Sequence, residues 1–121
     1  MRVVYTSGSI SLAALETLVH VDPEEAPEDL VVIPVDLPAD IGIAELTTRM
    51  LPHGWRSTPG LPRLQQLGLN WVRSGKSAVL SVPSVLVPQE RNYLLNPAHR
   101  DFARIKRGKP KAFAIDPRFY G

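Results

Sequence analysis

The stretch "SVPSVLVPQERNYLLNP", residues 81–97, decides how this chain folds. It continues an apolar, β-branched run that begins at Ser77, so residues 77–82 read as a strand. Residues 92–95 read as a second strand, with Pro83 and Pro88 in the connection between them. Proline fixes its own φ and restricts the residue before it, so the backbone around Ser84 is held extended. Residues 84–87 are therefore expected to prolong the first strand past a kink. Upstream, a helix is predicted to open at Thr58-Pro59, run through Leu61, Leu64, Leu67 and Trp71, and close at Ser74-Gly75. Downstream, Asn96-Pro97 offers an N-cap and first-turn proline for a short helix ending near Ile105.

Working towards the N-terminus, residues 2–6 alternate weakly and read as a strand. Ser7-Gly8-Ser9 is a turn able to cap a helix over 10–20, where apolar residues recur at helical spacing. Residues 30–36 read as a strand, with Pro34 marking an edge or an end. Residues 41–50 fit a short helix or a strand equally. Residues 51–59 form a loop anchored by Trp55, and a last strand is expected over 112–115. Twelve prolines spread along the chain favour short elements. The mixed order of elements implies an α+β fold, a curved mixed or antiparallel sheet with packed helices, as a single domain over 1–121.

A chain of 121 residues can bury a real core, and 44% hydrophobic with 21% charged residues is ordinary for a soluble domain. No apolar run approaches the ~20 residues of a membrane span. The first residues lack a signal-peptide core, so the expectation is a cytoplasmic protein without a membrane anchor. The absence of cysteine excludes disulfides, thiol catalysis and zinc–thiolate sites. The net charge of +2 hides an asymmetry: from Arg100 onward seven basic residues face two acids, +5, which leaves −3 for the remainder. Much of that acid sits in residues 22–29. The basic end suits phosphates or nucleic acid, or is simply a solvated face; no aromatic residues interleave with it as in a single-strand binder.

Two places could carry chemistry. Tyr5 ends the first strand, and Glu16 lies on the next helix at the margin of an apolar arc formed by Leu12, Leu15, Leu18 and Val19. A carboxylate there either lines a cleft, with an electrostatic role toward a cation, or reaches into water. Ser84 either hydrogen-bonds a ligand or orients another side chain, or bonds its own backbone at the kink. His20, His53 and His99 show neither triad nor metal spacing, the acidic loop lacks the glycine and alternation of a calcium site, and "TSGS" is too short for a phosphate loop. These residues alone define an α+β domain with a small-ligand cleft.

Several stretches in order go further. "VVYTSGSISLAALETLVH", "LPHGW", "GLNWVRSGKSAVLSVPSVLVPQERNYLLNPAHRDF" and "FAIDPR" together resemble the RES-domain family along nearly the whole chain. The resemblance implies a fold related to ADP-ribosyltransferases and the toxin half of a bacterial toxin–antitoxin pair. It implies consumption of NAD⁺ as substrate, by phosphorolysis, hydrolysis or ADP-ribosyl transfer, with inorganic phosphate as a co-substrate in the first case and no resident cofactor or metal. The family's glutamate falls on Glu16, its serine on Ser84 and its active-site tyrosine on Tyr5, which together form the implied catalytic set. Dinucleotide contacts fall on Tyr5, Thr6, Ser84 and Asn92. The implied partner is a cognate helix-turn-helix antitoxin in a hetero-oligomer, with DNA reached only through that partner.

Family members also carry a segment before the YTS strand, with the name-giving arginine and a Gly-Gly-Arg-Trp-Asn stretch. This sequence starts at the strand, and "GLNW" stands where an aspartate commonly follows the glycine. The expectation is an N-terminally short domain, through an upstream start, a fragment or a true loss, with weak or no activity on its own because dinucleotide binding is weakened more than the chemistry at the sugar. Two alternatives stand beside the enzyme: a catalytically degenerate RES fold that only engages an antitoxin, and a nucleic-acid-binding domain using the basic C-terminal segment.

Overall fold

A computed structural model describes residues 2–22, 25, 28–57 and 61–120. Its centre is a four-stranded mixed sheet built from β1 (Val4–Ser7), β4 (Ile43–Glu45), β5 (Val79–Pro83) and β6 (Arg91–Leu95), in the order β1-β6-β5-β4. β6 pairs antiparallel with both β1 and β5, and β4 runs parallel to β5. Two helices, α1 (Ile10–Leu18) and α2 (Pro62–Ser74), complete an α+β fold. No described helix is long and apolar enough to cross a membrane.

β5 is the best-covered strand because it lies between two neighbours and beneath the core. Val79 is completely buried, with Ala78, Leu95 and Ile41 beside it and Val35, Leu37, Phe102 and Ile105 packed against them. A proline closes this inner strand without leaving a bond unmade. Ser84 N bonds Glu90 O on the β6 side, so by alternation the missing N–H of Pro83 falls on the β4 side. There the ladder has already ended, at Glu45 opposite Ser81 and the Leu46 N to Ser81 O bond.

The Arg91 side chain ties the same end together. Its Nε donates to Ser81 Oγ at 2.8 Å, and one Nη donates to Leu46 O at 2.6 Å and Ser81 O at 3.0 Å. Glu45 lies 3.7 Å from that nitrogen. The far end of β5 is fixed by α2: Trp71 Nε1 donates to Ser77 Oγ at 2.9 Å, and Ser77 Oγ donates to Val79 O at 2.9 Å.

Several expected elements take a different form. α2 begins at Leu61-Pro62, with Pro62 in the first turn, and ends as expected at Gly75, whose φ of 61° suits glycine. The expected opening at Thr58-Pro59 lies outside the described residues, as does half of the acidic loop (Pro23, Glu24, Ala26 and Pro27). Residues 30–36 form two short strands, β2 (Val31–Val32) and β3 (Val35–Asp36), paired with β8 (Lys111–Ala112) and β7 (Lys106–Arg107). The two registers differ by one residue, because residues 108–110 oppose only residues 33–34. Pro34 and Pro110 cannot donate to a ladder, and Gly108 N instead bonds Pro34 O at 2.8 Å.

The expected strand over 112–115 is thus confined to Lys111–Ala112. Residues 41–50 contain β4 and then a 3₁₀ turn, Thr48–Met50. Trp55 is half-buried in its loop. The helix expected after Asn96-Pro97 is a 3₁₀ turn, Arg100–Arg104, capped by His99 Nδ1 accepting from Asp101 N. Asn96 Oδ1 accepts from Ala98 N at 3.0 Å, the expected cap bond, but the chain continues through three-residue bonds, His99 N to Asn96 O and Phe102 N to His99 O, and so winds as a 3₁₀ turn.

Candidate active site

Ser9 sets the phase of α1. Its backbone is extended, and its Oγ accepts from Leu12 N at 3.1 Å, so the helix starts at Ile10. Leu12 is the buried residue of the helix. Glu16 lies one turn further on the same side and is carried toward the sheet. The predicted arc is narrower than expected: Leu15 and Val19 are exposed, because α1 rests near β1 at the sheet's edge.

Ser84 follows β5 and turns the chain instead of extending it, contrary to the expected continuation over 84–87. Its hydroxyl accepts from Leu86 N and Val87 N, both at 3.1 Å, and donates to Glu16 Oε1 at 2.9 Å. A hydroxyl has two lone pairs and one proton. Here both lone pairs shape the turn and the proton goes to the carboxylate. Ser84 thus bonds its own backbone at the kink and also donates to another side chain. The residue is completely buried.

Asn92 supplies the second donor. It sits opposite Ser7 in β1 and Val82 in β5, fully buried. Its Nδ2 donates to Glu16 Oε1 at 2.8 Å and lies 3.4 Å from the Tyr5 hydroxyl, while its Oδ1 accepts from Ser7 Oγ at 2.8 Å. Charge fixes this amide orientation, since the reverse would press a carbonyl oxygen against the carboxylate.

Glu16 thus has Oε1 held by two donors, and among the described residues no donor reaches Oε2. The carboxylate lines an open groove of about 420 Å³ with Tyr5, Thr6, Ser7 and His20. Tyr5 is exposed as a residue, lines the groove, and brings its hydroxyl to the cluster. Burial of that hydroxyl, and then the charge of Glu16, push the phenol pKa above its usual value; the bond from Asn92 opposes them.

Tyr5, Glu16, Ser84 and Asn92 accordingly meet in one hydrogen-bonded cluster. Thr6 does not join it: its Oγ1 donates to Tyr93 O at 2.8 Å, and the residue only lines the groove. Ser7 was not among the sequence candidates. Only the β1–β6 register, which sets it across from Asn92, reveals its part.

Residues 1–116 match the RES domain family. The chain belongs to that family. This RES domain is 38% identical to the Prs ADP-ribosylating toxin of Sphingobium sp. over 120 residues, 98% of this chain and 74% of that protein. It is also 38% identical to Toxin Res of Yersinia enterocolitica over 116 residues, 95% of this chain and 76% of that one. Toxin Res of Photorhabdus laumondii matches at 38% over 117 residues, 95% and 74% of the two chains. The buried serine and asparagine that grip Glu16 are thus part of a RES domain whose relatives bear the names of toxins.

In the basic C-terminal segment of this RES domain, Arg104 pairs with Asp40 and Arg118 with Asp116. Arg118 holds the Asp116 carboxyl below the usual carboxylate range through side-chain and backbone bonds.

Proposed function

We propose that this RES domain is the toxin of a toxin–antitoxin pair and that it consumes NAD⁺ by breaking the nicotinamide–ribose bond. The observation that carries this reading is the one-sided grip on Glu16, with Oε1 clamped by Ser84 and Asn92 and the groove beside it. When the C–N bond breaks, its electron pair leaves with nicotinamide and the ribose becomes an oxocarbenium ion. A fixed carboxylate is attractive to that developing charge and has little to reorganise as it forms. Tyr5, which lines the groove, would supply its ring as a stacking face for the nicotinamide. The acceptor (water, phosphate or a protein side chain) then forms the new bond to the ribosyl carbon with its own electron pair, and a neutral acceptor loses its proton to solvent.

The name ADP-ribosylating toxin, borne by one relative, agrees with transfer from NAD⁺. Family membership also supports a cognate antitoxin with a helix-turn-helix domain as partner, DNA being contacted through that partner, and a cytoplasmic site of action.

The test is NAD⁺ consumption by the chain beside Glu16→Ala and Glu16→Gln. The glutamine keeps an oxygen for Ser84 and Asn92 and removes the charge. Turnover is expected to fall about 10²–10³-fold in both, the range seen on losing one electrostatic stabiliser. Robust turnover that is indifferent to these substitutions would overturn the role of Glu16.

A further inference from the structure

The groove holding Glu16 continues along β1 into a second one. Tyr5, Thr6, Ser7 and Ala13 line both. The second has a volume of about 560 Å³ and runs between β1 and the β2–β3 segment. Its walls include Val32, Ile33, Val35 and Leu37, with Lys111 at one side. Lys111 stands on β8 opposite Val32. Among the described residues it is the only charged side chain lining this lobe, and no carboxylate pairs with it. The two lobes therefore have opposite character, a carboxylate in one and an ammonium in the other.

We propose that Lys111 binds the diphosphate of the dinucleotide, with the second lobe receiving the adenylate half of the substrate. This inference rests on the reading of NAD⁺ as substrate. NAD⁺ carries its positive charge on the nicotinamide ring and its negative charges on the diphosphate, one ribose away. Laid along β1, the cationic end meets Glu16 and the anionic middle meets Lys111. The reverse orientation puts the diphosphate against the carboxylate and wastes the ammonium. An unpaired lysine is available to a phosphate without first breaking an ion pair, and the aliphatic wall beyond it suits the face of a purine.

The experiment is calorimetry on the full chain with two non-cleavable ligands, carbocyclic NAD⁺ and carbocyclic nicotinamide riboside, which lacks phosphates. Lys111→Ala is expected to weaken the dinucleotide about tenfold, as the loss of one charged hydrogen bond does, and to leave the riboside unchanged. Lys111→Arg keeps the charge and should stay within about threefold of the parent. Raising salt should weaken dinucleotide binding by the parent more than by Lys111→Ala. Equal affinity of parent and Lys111→Ala for the dinucleotide overturns the role of Lys111 alone, as does an equal loss for both ligands. A parent chain that binds neither ligand overturns the NAD⁺ reading, and this assignment with it.

Discussion

Ser84 Oγ lies 2.9 Å from Glu16 Oε1 across 68 residues of chain, and the same hydroxyl accepts from Leu86 N and Val87 N. Ser84→Ala should therefore remove a donor from the acid and strand two amides. The expected cost is about 2–3 kcal/mol of folding stability, typical of buried groups left unpaired, readable by urea denaturation. Because Ser84 and Glu16 touch, Ser84→Ala and Glu16→Gln should not add: a coupling of about 0.5–3 kcal/mol is expected from a double-mutant cycle. Strict additivity would mean that the hydroxyl and the carboxylate act independently.

Tyr5 makes the cluster sensitive to high pH. Its phenol pKa is raised in the fold, by burial and then by Glu16. The folded chain holds this proton more tightly than the unfolded chain does. The stabilising contribution is complete below the unfolded phenol value of about 10 and is lost as pH climbs through the higher folded value. Tyr5→Phe should flatten the alkaline fall in stability and leave neutral stability nearly unchanged. In an ultraviolet titration, Glu16→Gln should bring the late-ionising tyrosine back toward 10; an unmoved titration would show that Glu16 exerts no field on the phenol.

Arg91 holds the sheet through carbonyl and hydroxyl oxygens from two neighbouring segments. Lysine cannot reproduce that fork, so Arg91→Lys should cost about 2–3 kcal/mol. The exposed Glu45 at 3.7 Å is a weak partner, and Glu45→Ala should cost less than about 1 kcal/mol. Chemical denaturation of the two variants would settle the order, and a reversed order would make the ion pair the dominant tie.

Gly8 follows β1 and donates its N–H to Arg91 O at 3.1 Å. A Cβ there would lie 3.1 Å from Arg91 O and 3.5 Å from a ring carbon of Tyr93. Gly8→Ala should push β1 outward and cost about 1–3 kcal/mol, as overpacking commonly does. The Ser7–Asn92 bond should lengthen with it, so loss of NAD⁺ turnover is expected to exceed what the fraction unfolded explains.

The elements read correctly in advance are those whose signals are local. The helix after Ser9, the helix ending at Gly75 and the apolar run into Pro83 each carry a cap, a period or a breaker within a few residues. Where tertiary pairing decides, the reading fell short. Residues 31–36 look like one strand, yet the extra residue across from Pro34 splits them. Asn96-Pro97 looks like an α-helix start and Asn96 does cap a turn, yet the following residues bond at three-residue spacing and form a 3₁₀ turn. Leu15 and Val19 look like core, yet the edge position of β1 leaves them exposed. At the site, Glu16 at the margin of its helix's apolar arc and Ser84 between two prolines are legible as candidates, and the family resemblance gives them their implied roles. The place of Ser7 depends on a register that no local pattern encodes.

The clamp on Glu16 also bears on synthesis. Its two donors arrive 68 and 76 residues after the acid they hold. A ribosome that has released α1 has delivered the carboxylate but not the groups that aim it. A growing chain cannot assemble this grip until β6 has emerged and found β1, so the carboxylate is aimed only after a stretch of chain far longer than α1 itself has been made.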